Sequence, residues 1–339
     1  MQDLLKTPPS GRSHYTDRAI LDDGTGTSIR LMQPLTTRTS SPDRHAAGDP
    51  PHDRLQTARG AISLLGLLHY LWEQAQLNQW HPSWHRSWST CRSRLQRAVG
   101  DCSVSGQALS EVLYVVPPYR PSSADVNARD FDDFRSRLGN HRGMEHRGLV
   151  LGELRDTAPS QHSVRFRLCH LATPLFATTA LVERTRRSYR SAFSPAAIDG
   201  SCRRVILLLV RRSAKGYLLI DDLAAMLSTR SYVPADSSHE IRMAGALSAA
   251  GRRFIKPLRY DITDGVFPDF VLTDEPSGPV YVEVYGMSNL SCYRERKRAK
   301  QTYYRAHNIP VIEWSVTEPL PDLAPNLEVA VSWGHQPRE

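Results

Sequence analysis

The sequence predicts an α+β protein in three parts: an N-terminal helical, winged-helix-like module, a β-rich middle domain and a C-terminal α/β domain. Three patterns carry that reading. Leu64, Leu65, Leu67, Leu68, Leu71 and Trp72 recur at helical spacing. Apolar runs bounded by turns, such as Leu149-Val150-Leu151 and Val205 to Val210, mark buried strands. The last hundred or so residues read as helix, strand, strand, helix, strand.

Residues 1–57 are rich in Pro, Ser, Thr, Gly and Asp and lack apolar periodicity, so they are expected to be disordered. Residues 58–118 form the helical module. Its second helix, from Ser87, gathers Trp88, Cys91, Leu95 and Val99 on one face and leaves Arg92, Arg94 and Arg97 elsewhere. A third short helix spans Ala108 to Leu113. Three helices with a basic member suggest a helix-turn-helix whose arginines meet DNA. The same pattern also suits a plain bundle with solvated arginines. His81 and His85 stand near Trp80, Trp84 and Trp88; Pro82 and the missing third ligand favour aromatic packing over a zinc site. Residues 119–145 read as a helix and linker, and 146–235 as the β-rich domain. Within it, Arg184, Arg186, Arg187 and Arg190 suit phosphate contacts but read better as a solvated helix face. The C-terminal domain covers 236–320, followed by a tail over 321–339.

The net charge of +8 in 339 residues suits a polyanionic partner. The five cysteines form no CxxC pair, which argues against a disulfide framework and for a reducing compartment, so the expected location is cytoplasmic. No apolar stretch follows a basic start, so no signal peptide is read. Val205 to Val210 is flanked by arginines and too short to span a bilayer, so no membrane partner is expected. DNA is the expected partner, with protein partners or a homo-oligomer left open.

The chemistry concentrates in the last domain. Ser237-Ser238-His239-Glu240 opens a helix continued by Ile241, Ala244, Leu247 and Phe254. Phe267-Pro268-Asp269-Phe270-Val271-Leu272 and Val280-Tyr281-Val282-Glu283-Val284-Tyr285 form a hairpin with a short odd loop of about three to five residues. If Asp269 and Glu283 lie directly opposite on this hairpin, which is what an odd loop requires, they share one face of the sheet. Val280, Val282 and Val284 face the core, while Tyr281, Glu283 and Tyr285 face a cleft. Paired carboxylates of this kind form an all-oxygen site for Mg2+ or Mn2+. The helix from Ser291 to His307 places Tyr293, Lys297, Lys300 and Tyr304 on one face and also carries Arg294, Arg296 and Arg298. Ile309 to Trp314 is the last strand.

These residues and their order resemble the PD-(D/E)XK nuclease superfamily, with Pro268-Asp269 and Glu283 as the matching motif. The resemblance implies a restriction-endonuclease-like fold, metal-dependent hydrolysis of nucleic acid, and Asp269 and Glu283 as metal ligands. Lysine usually stands two residues after the glutamate, where this chain has Tyr285. Some branches carry the lysine on the following helix, which points to Lys300 first and Lys297 second. Tyr293 with Lys300 also resembles nuclease domains fused to some superfamily-1 helicases. Glu240 matches an extra metal ligand on the first helix, and equally the acidic partner of a Ser-x-x-Glu capping box. Asp261 and Asp264 read as turn residues.

A second resemblance covers about residues 63–285. Leu67-Leu68-His69-Tyr70-Leu71-Trp72-Glu73, Leu77-Asn78-Gln79-Trp80 and Gly251-Arg252-Arg253-Phe254-Ile255-Lys256-Pro257-Leu258-Arg259-Tyr260 resemble a domain-of-unknown-function family of bacterial plasmids and integrative elements. It implies mobile-element biology. Members begin with a Cys/His-rich segment that this chain lacks. The expectation is an Mg2+-dependent DNA endonuclease, with a binding-only protein on a degenerate nuclease fold as the alternative.

Overall fold

A computed structural model describes residues 13–14, 19–38, 60–198, 202–260, 265–286 and 291–325. Helix α1 (Leu64–Gln74) starts at Ser63, whose side chain accepts from the Gly66 amide. Every residue from Leu64 to Trp72 is buried, so α1 is a core helix. Helix α2 (Trp88–Val99) buries Trp88, Cys91, Leu95 and Val99, the stripe its spacing implies. Helix α3 (Ala124–Ser136) is amphipathic around Phe131 and Phe134.

The middle of the chain is a set of long strands: β1 (Met144–Ser160), β2 (Ser163–Leu168), β3 (Leu175–Ala177), then helix α4 (Thr179–Ser188), β4 (Arg203–Arg212) and β5 (Leu218–Ser228). The pairings run β2-β3-β5-β4-β1, and β2 also pairs with β1, so the five strands close into a ring. Both faces are apolar. Val205, Leu207 and Leu209 pack toward α1 and α2. Ile206, Leu208 and Val210 pack toward α3 and α4. A strand covered on both sides reads as a continuous apolar run, which is what Val205 to Val210 is. Gly148 carries no side chain because Phe134 stands 2.7 Å from where its Cβ would be, so α3 approaches β1 closely.

The C-terminal part begins with α5 (Ser238–Ala249), capped by the Ser237 hydroxyl, which accepts from the Glu240 amide. Strands β6 (Phe254–Ile255), β7 (Phe270–Leu272) and β8 (Val280–Tyr285), helix α6 (Ser291–Ala306) and strand β9 (Val311–Ser315) follow. The sheet order is β9-β8-β7-β6 with the short strand Gln79–Trp80 beyond β6; β8 and β9 are parallel and the other pairs antiparallel. No helix among the described residues is long and apolar enough to cross a membrane.

Several boundaries differ from the sequence expectation, each for a long-range reason. Within 1–57, the described segment 19–38 is ordered. Its strand Thr27–Ile29 pairs with Cys102–Val104, and Thr36–Arg38 pairs with Met144–His146. Local composition cannot report partners that distant. Residues 58–118 hold strands as well as helices, and their core is continuous with Leu149, Leu151, Val205 and Leu207 of the ring. The supposed linker contributes buried Phe131, Phe134 and Leu138. Phe254 belongs to β6, not to the preceding helix. Residues 321–325 of the expected tail are described, with Leu323 buried.

The hairpin register is as expected in parity but not in length. Phe270 pairs with Val282 and Leu272 with Val280, which puts Asp269 opposite Glu283 across a seven-residue connection, 273–279. The longer loop has a job. Asp274 and Glu275 both bind the Arg252 guanidinium, which is 1% exposed and also donates to the Leu323 and Ala324 carbonyls. Burial alone raises the Asp274 pKa, but the Arg252 bonds outweigh it and hold the carboxyl below its ordinary value. Removing one member of a buried ion pair strands the others. Arg252→Ala is therefore expected to cost about 3–5 kcal/mol in urea denaturation. A loss under about 1 kcal/mol would show that the cluster is not what fastens the loop and the C-terminal segment.

Candidate active site

A cleft of about 400 Å³ lies where the strand ring meets the C-terminal sheet. Leu65 and His69 of α1, residues 187–192 at the end of α4, Asp236, Glu240, Asp269, Glu283, Arg296, Lys297 and Lys300 line it. Four carboxyl-bearing side chains and several cations thus converge from distant parts of the chain.

Glu283 sits at the floor and is 1% exposed. Lys300 Nζ donates to Glu283 Oε1 and Oε2, each at 2.8 Å, and to the Phe267 carbonyl at 2.7 Å. The Tyr304 hydroxyl, one turn further along α6, donates to Glu283 Oε1. Burial pushes the Glu283 carboxyl up to about 7; Lys300 pulls it down, and the Asp269 charge adds to the rise. Asp269 is 7% exposed, and its Oδ2 accepts from the Val284 amide at 2.8 Å. That bond ties the loop before β7 to β8 and fixes Asp269 beside Glu283. Val282 lies in the core, with Val280 and Val284 packed against it, so Glu283 takes the other face.

The remaining candidates separate. Lys297 lies over the Tyr285 ring, 4.1 Å from its centroid. Tyr285 donates to Glu313 Oε1 at 2.9 Å, and Gln301 Nε2 donates to Glu313 Oε2 at 2.9 Å. Arg296 lines the cleft, while Arg294 and Arg298 point to solvent. The side chain of Tyr293, and Asp261 and Asp264, lie outside the described residues.

Glu240 performs the capping role and more. Its Oε2 accepts from the Asp236 amide at 3.1 Å and from the Lys256 ammonium. Lys256 is fully buried beneath the cleft, 3.1 Å from Asp236 Oδ2 and 5.1 Å from the Phe270 ring centroid. No spacing rule links Lys256 to Asp269, so the sequence marks it only as part of the family stretch Gly251 to Tyr260, as a lysine within the apolar Phe254-Ile255-Lys256-Pro257. Tyr304, four residues after Lys300, was legible as a neighbour on the helix but not as a partner of Glu283.

The arginines of α2 are far from this chemistry. Arg92 Nε donates to the Val115 carbonyl at 3.3 Å, Arg94 lies 4.7 Å from the Trp84 ring centroid, and Arg97 is exposed. Arg86 also covers Trp80 and Trp84, and the His81 and Trp84 ring centroids are 5.7 Å apart, the expected aromatic packing. Among the described residues, no group of three or more His, Cys, Asp or Glu side chains is placed to hold a metal ion. Asp269 and Glu283 are two oxygen-donor side chains on the cleft floor with Lys300 beside them; Asp236 and Glu240 stand likewise with Lys256.

The family model described as a protein of unknown function, DUF1173, matches residues 7–317. The chain belongs to the DUF1173 family. No curated protein matches it. The match extends beyond the stretch over which the sequence resemblance was drawn, and takes in both the ordered N-terminal strands and the whole cleft of this DUF1173 chain.

In this DUF1173 cleft, the Lys256–Glu240 pair has a separable energetic signature. Lys256→Met alone is expected to cost about 3–5 kcal/mol, because it leaves Glu240 buried without its ammonium, and Glu240→Gln less, because Asp236 Oδ2 still stands 3.1 Å from Lys256. The double variant should cost clearly less than the sum, as a thermal-denaturation cycle would read. Strict additivity would mean that the two groups are not coupled.

Proposed function

We propose that this protein is a metal-dependent nuclease that hydrolyses DNA phosphodiester bonds at the Asp269–Glu283 pair. One observation carries the reading. A lysine from the following helix, Lys300, contacts both oxygens of Glu283 at 2.8 Å, in a chain whose strand has Tyr285 where a lysine is usual. The order helix, three strands, helix, strand around that pair supports the resemblance to PD-(D/E)XK nucleases.

The donor set fits Mg2+ or Mn2+. Both side chains are carboxylates, the hard oxygen donors such ions take, and they stand beside each other on the cleft floor. When bound, such an ion would lower the pKa of a water and polarise the phosphate. The chain's own groups do the rest. Asp269 is oriented by the Val284 amide, and Glu283 by Lys300 and Tyr304. Lys300 is the group that orients the attacking water and offsets charge developing on the phosphate. Lys297, held over Tyr285, lines the cleft and is available to a substrate phosphate. Glu240, engaged by Lys256, is a positioning residue that braces the start of α5. A link to plasmids or other mobile elements rests on the sequence resemblance alone.

A second reading has its own observation. Lys300 already spans both Glu283 oxygens, as a cation would. On that reading the protein binds nucleic acid without cutting it.

Incubation with plasmid and single-stranded DNA in Mg2+ or Mn2+ decides between them. Cleavage is expected from the wild type, with loss on chelation and return with Mn2+. Asp269→Ala and Lys300→Ala are each expected to lower the rate by about a hundredfold or more. Cleavage that survives Asp269→Ala sinks the assignment. Salt-dependent binding with no cleavage by any preparation selects the second reading.

A further inference from the structure

The cleft has a wall that the nuclease core does not supply. Residues 187–192 at the end of α4 come from the strand ring and line the same space as the carboxylates. The Ser191 hydroxyl donates to the Asp236 carbonyl at 2.5 Å, which fastens this wall to the chain just before α5. Arg187 and Arg190 are both exposed. On the same helix, Arg184 is spoken for by Asp222 at 2.9 Å. Among the described residues, no carboxylate within salt-bridge distance holds Arg187 or Arg190. The floor side adds Arg296 and Lys297 from α6. Basic groups therefore stand on both sides of an acidic floor.

We propose that Arg187 and Arg190 form a second, phosphate-gripping wall, and that the ligand threaded between it and α6 is single-stranded nucleic acid. This rests on the nuclease-fold reading for the floor but not on catalysis. The size of the cleft favours one strand. About 400 Å³ is the volume of a pocket for one drug-sized ligand, roughly one nucleotide, not for a duplex. Grooves that track a single backbone with basic side chains bind with little regard to sequence and with strong salt dependence. A strand held by Arg187 and Arg190 on one side and Lys297 on the other would pass a phosphate over Asp269 and Glu283.

Fluorescence anisotropy tests this with the full chain, using end-labelled single-stranded and blunt-duplex oligodeoxynucleotides in chelator, so that nothing is cut. The single strand is expected to bind at least about tenfold more tightly than the duplex. The Arg187→Ala/Arg190→Ala variant should weaken single-strand binding about tenfold and flatten its log–log salt dependence by about 1.4, for two phosphate contacts at about 0.7 each. Circular dichroism checks that the variant folds, and Arg187→Lys/Arg190→Lys, which keeps the charge, should recover most of the binding. Equal binding of duplex and single strand, or a folded alanine variant that binds like the wild type, overturns the proposal. The outcomes also separate the two readings. Single-strand binding lost in the arginine variant, with no cleavage by the wild type, keeps this wall and discards the nuclease. Cleavage that needs Asp269 but binding indifferent to the arginines does the reverse.

Discussion

The structure depends on a seam between two segments nearly two hundred positions apart. The Glu73 carboxylate at the end of α1 accepts from the Leu258 and Arg259 amides, both at 3.2 Å, and pairs with the Arg259 guanidinium. Five residues on, the Asn78 carbonyl accepts from the Lys256 amide at 2.8 Å while its side chain donates to the Lys256 carbonyl at 3.0 Å. Trp80 then pairs with Phe254 as an added strand of the C-terminal sheet. The backbone amides of Lys256, Leu258 and Arg259 and the carbonyls of Asn78 and Lys256 thus find partners across the seam, which buried backbone groups require. The stretches that carry the family resemblance are the two sides of this one contact.

The seam sets the geometry of the cleft. It holds Lys256 under the floor, and Lys256 holds Glu240 and Asp236. Asp236 in turn accepts from Ser191, which anchors the α4 wall. Trp72 adds a further tie, its indole N–H donating to the Tyr232 carbonyl at 3.2 Å. The strand ring, α1 and the C-terminal sheet are therefore parts of one packed unit around the site. A cluster of like charges is costly to bury. Here two of the buried carboxylates are each met by a lysine, Glu283 by Lys300 and Glu240 by Lys256, while Asp269 accepts from the Val284 amide.

Burial explains why the floor is chemically poised. A carboxyl that is 1% exposed and beside another carboxylate resists ionisation, and the single ammonium of Lys300 offsets this only in part. Tyr304 and Tyr285 also lose their charged forms to burial, so both stay hydrogen-bond donors, to Glu283 and Glu313. Tyr285 is thus tied to β9 through Glu313, and its ring supports Lys297 of α6.

The sequence by itself determined what is local. The α2 stripe of Trp88, Cys91, Leu95 and Val99, the doubly covered Val205 to Val210 strand and the alternation of Val280, Val282 and Val284 follow from periodicity, since a side chain's direction depends on its neighbours along the element. Periodicity also puts Lys297 and Lys300 on one face of α6; the pairing of Asp269 with Glu283 and the preference for Lys300 come from the resemblance, not from spacing. Tertiary structure alone decided the rest. Ordering of residues 19–38, the closing of β2 onto β1, the Arg252 clasp that lengthens the hairpin loop, the burial of Lys256 and the presence of Arg187 and Arg190 at the cleft all depend on partners far along the chain. No periodicity encodes such a partner, because a hydrogen bond or ion pair constrains distance in space and is indifferent to separation in sequence.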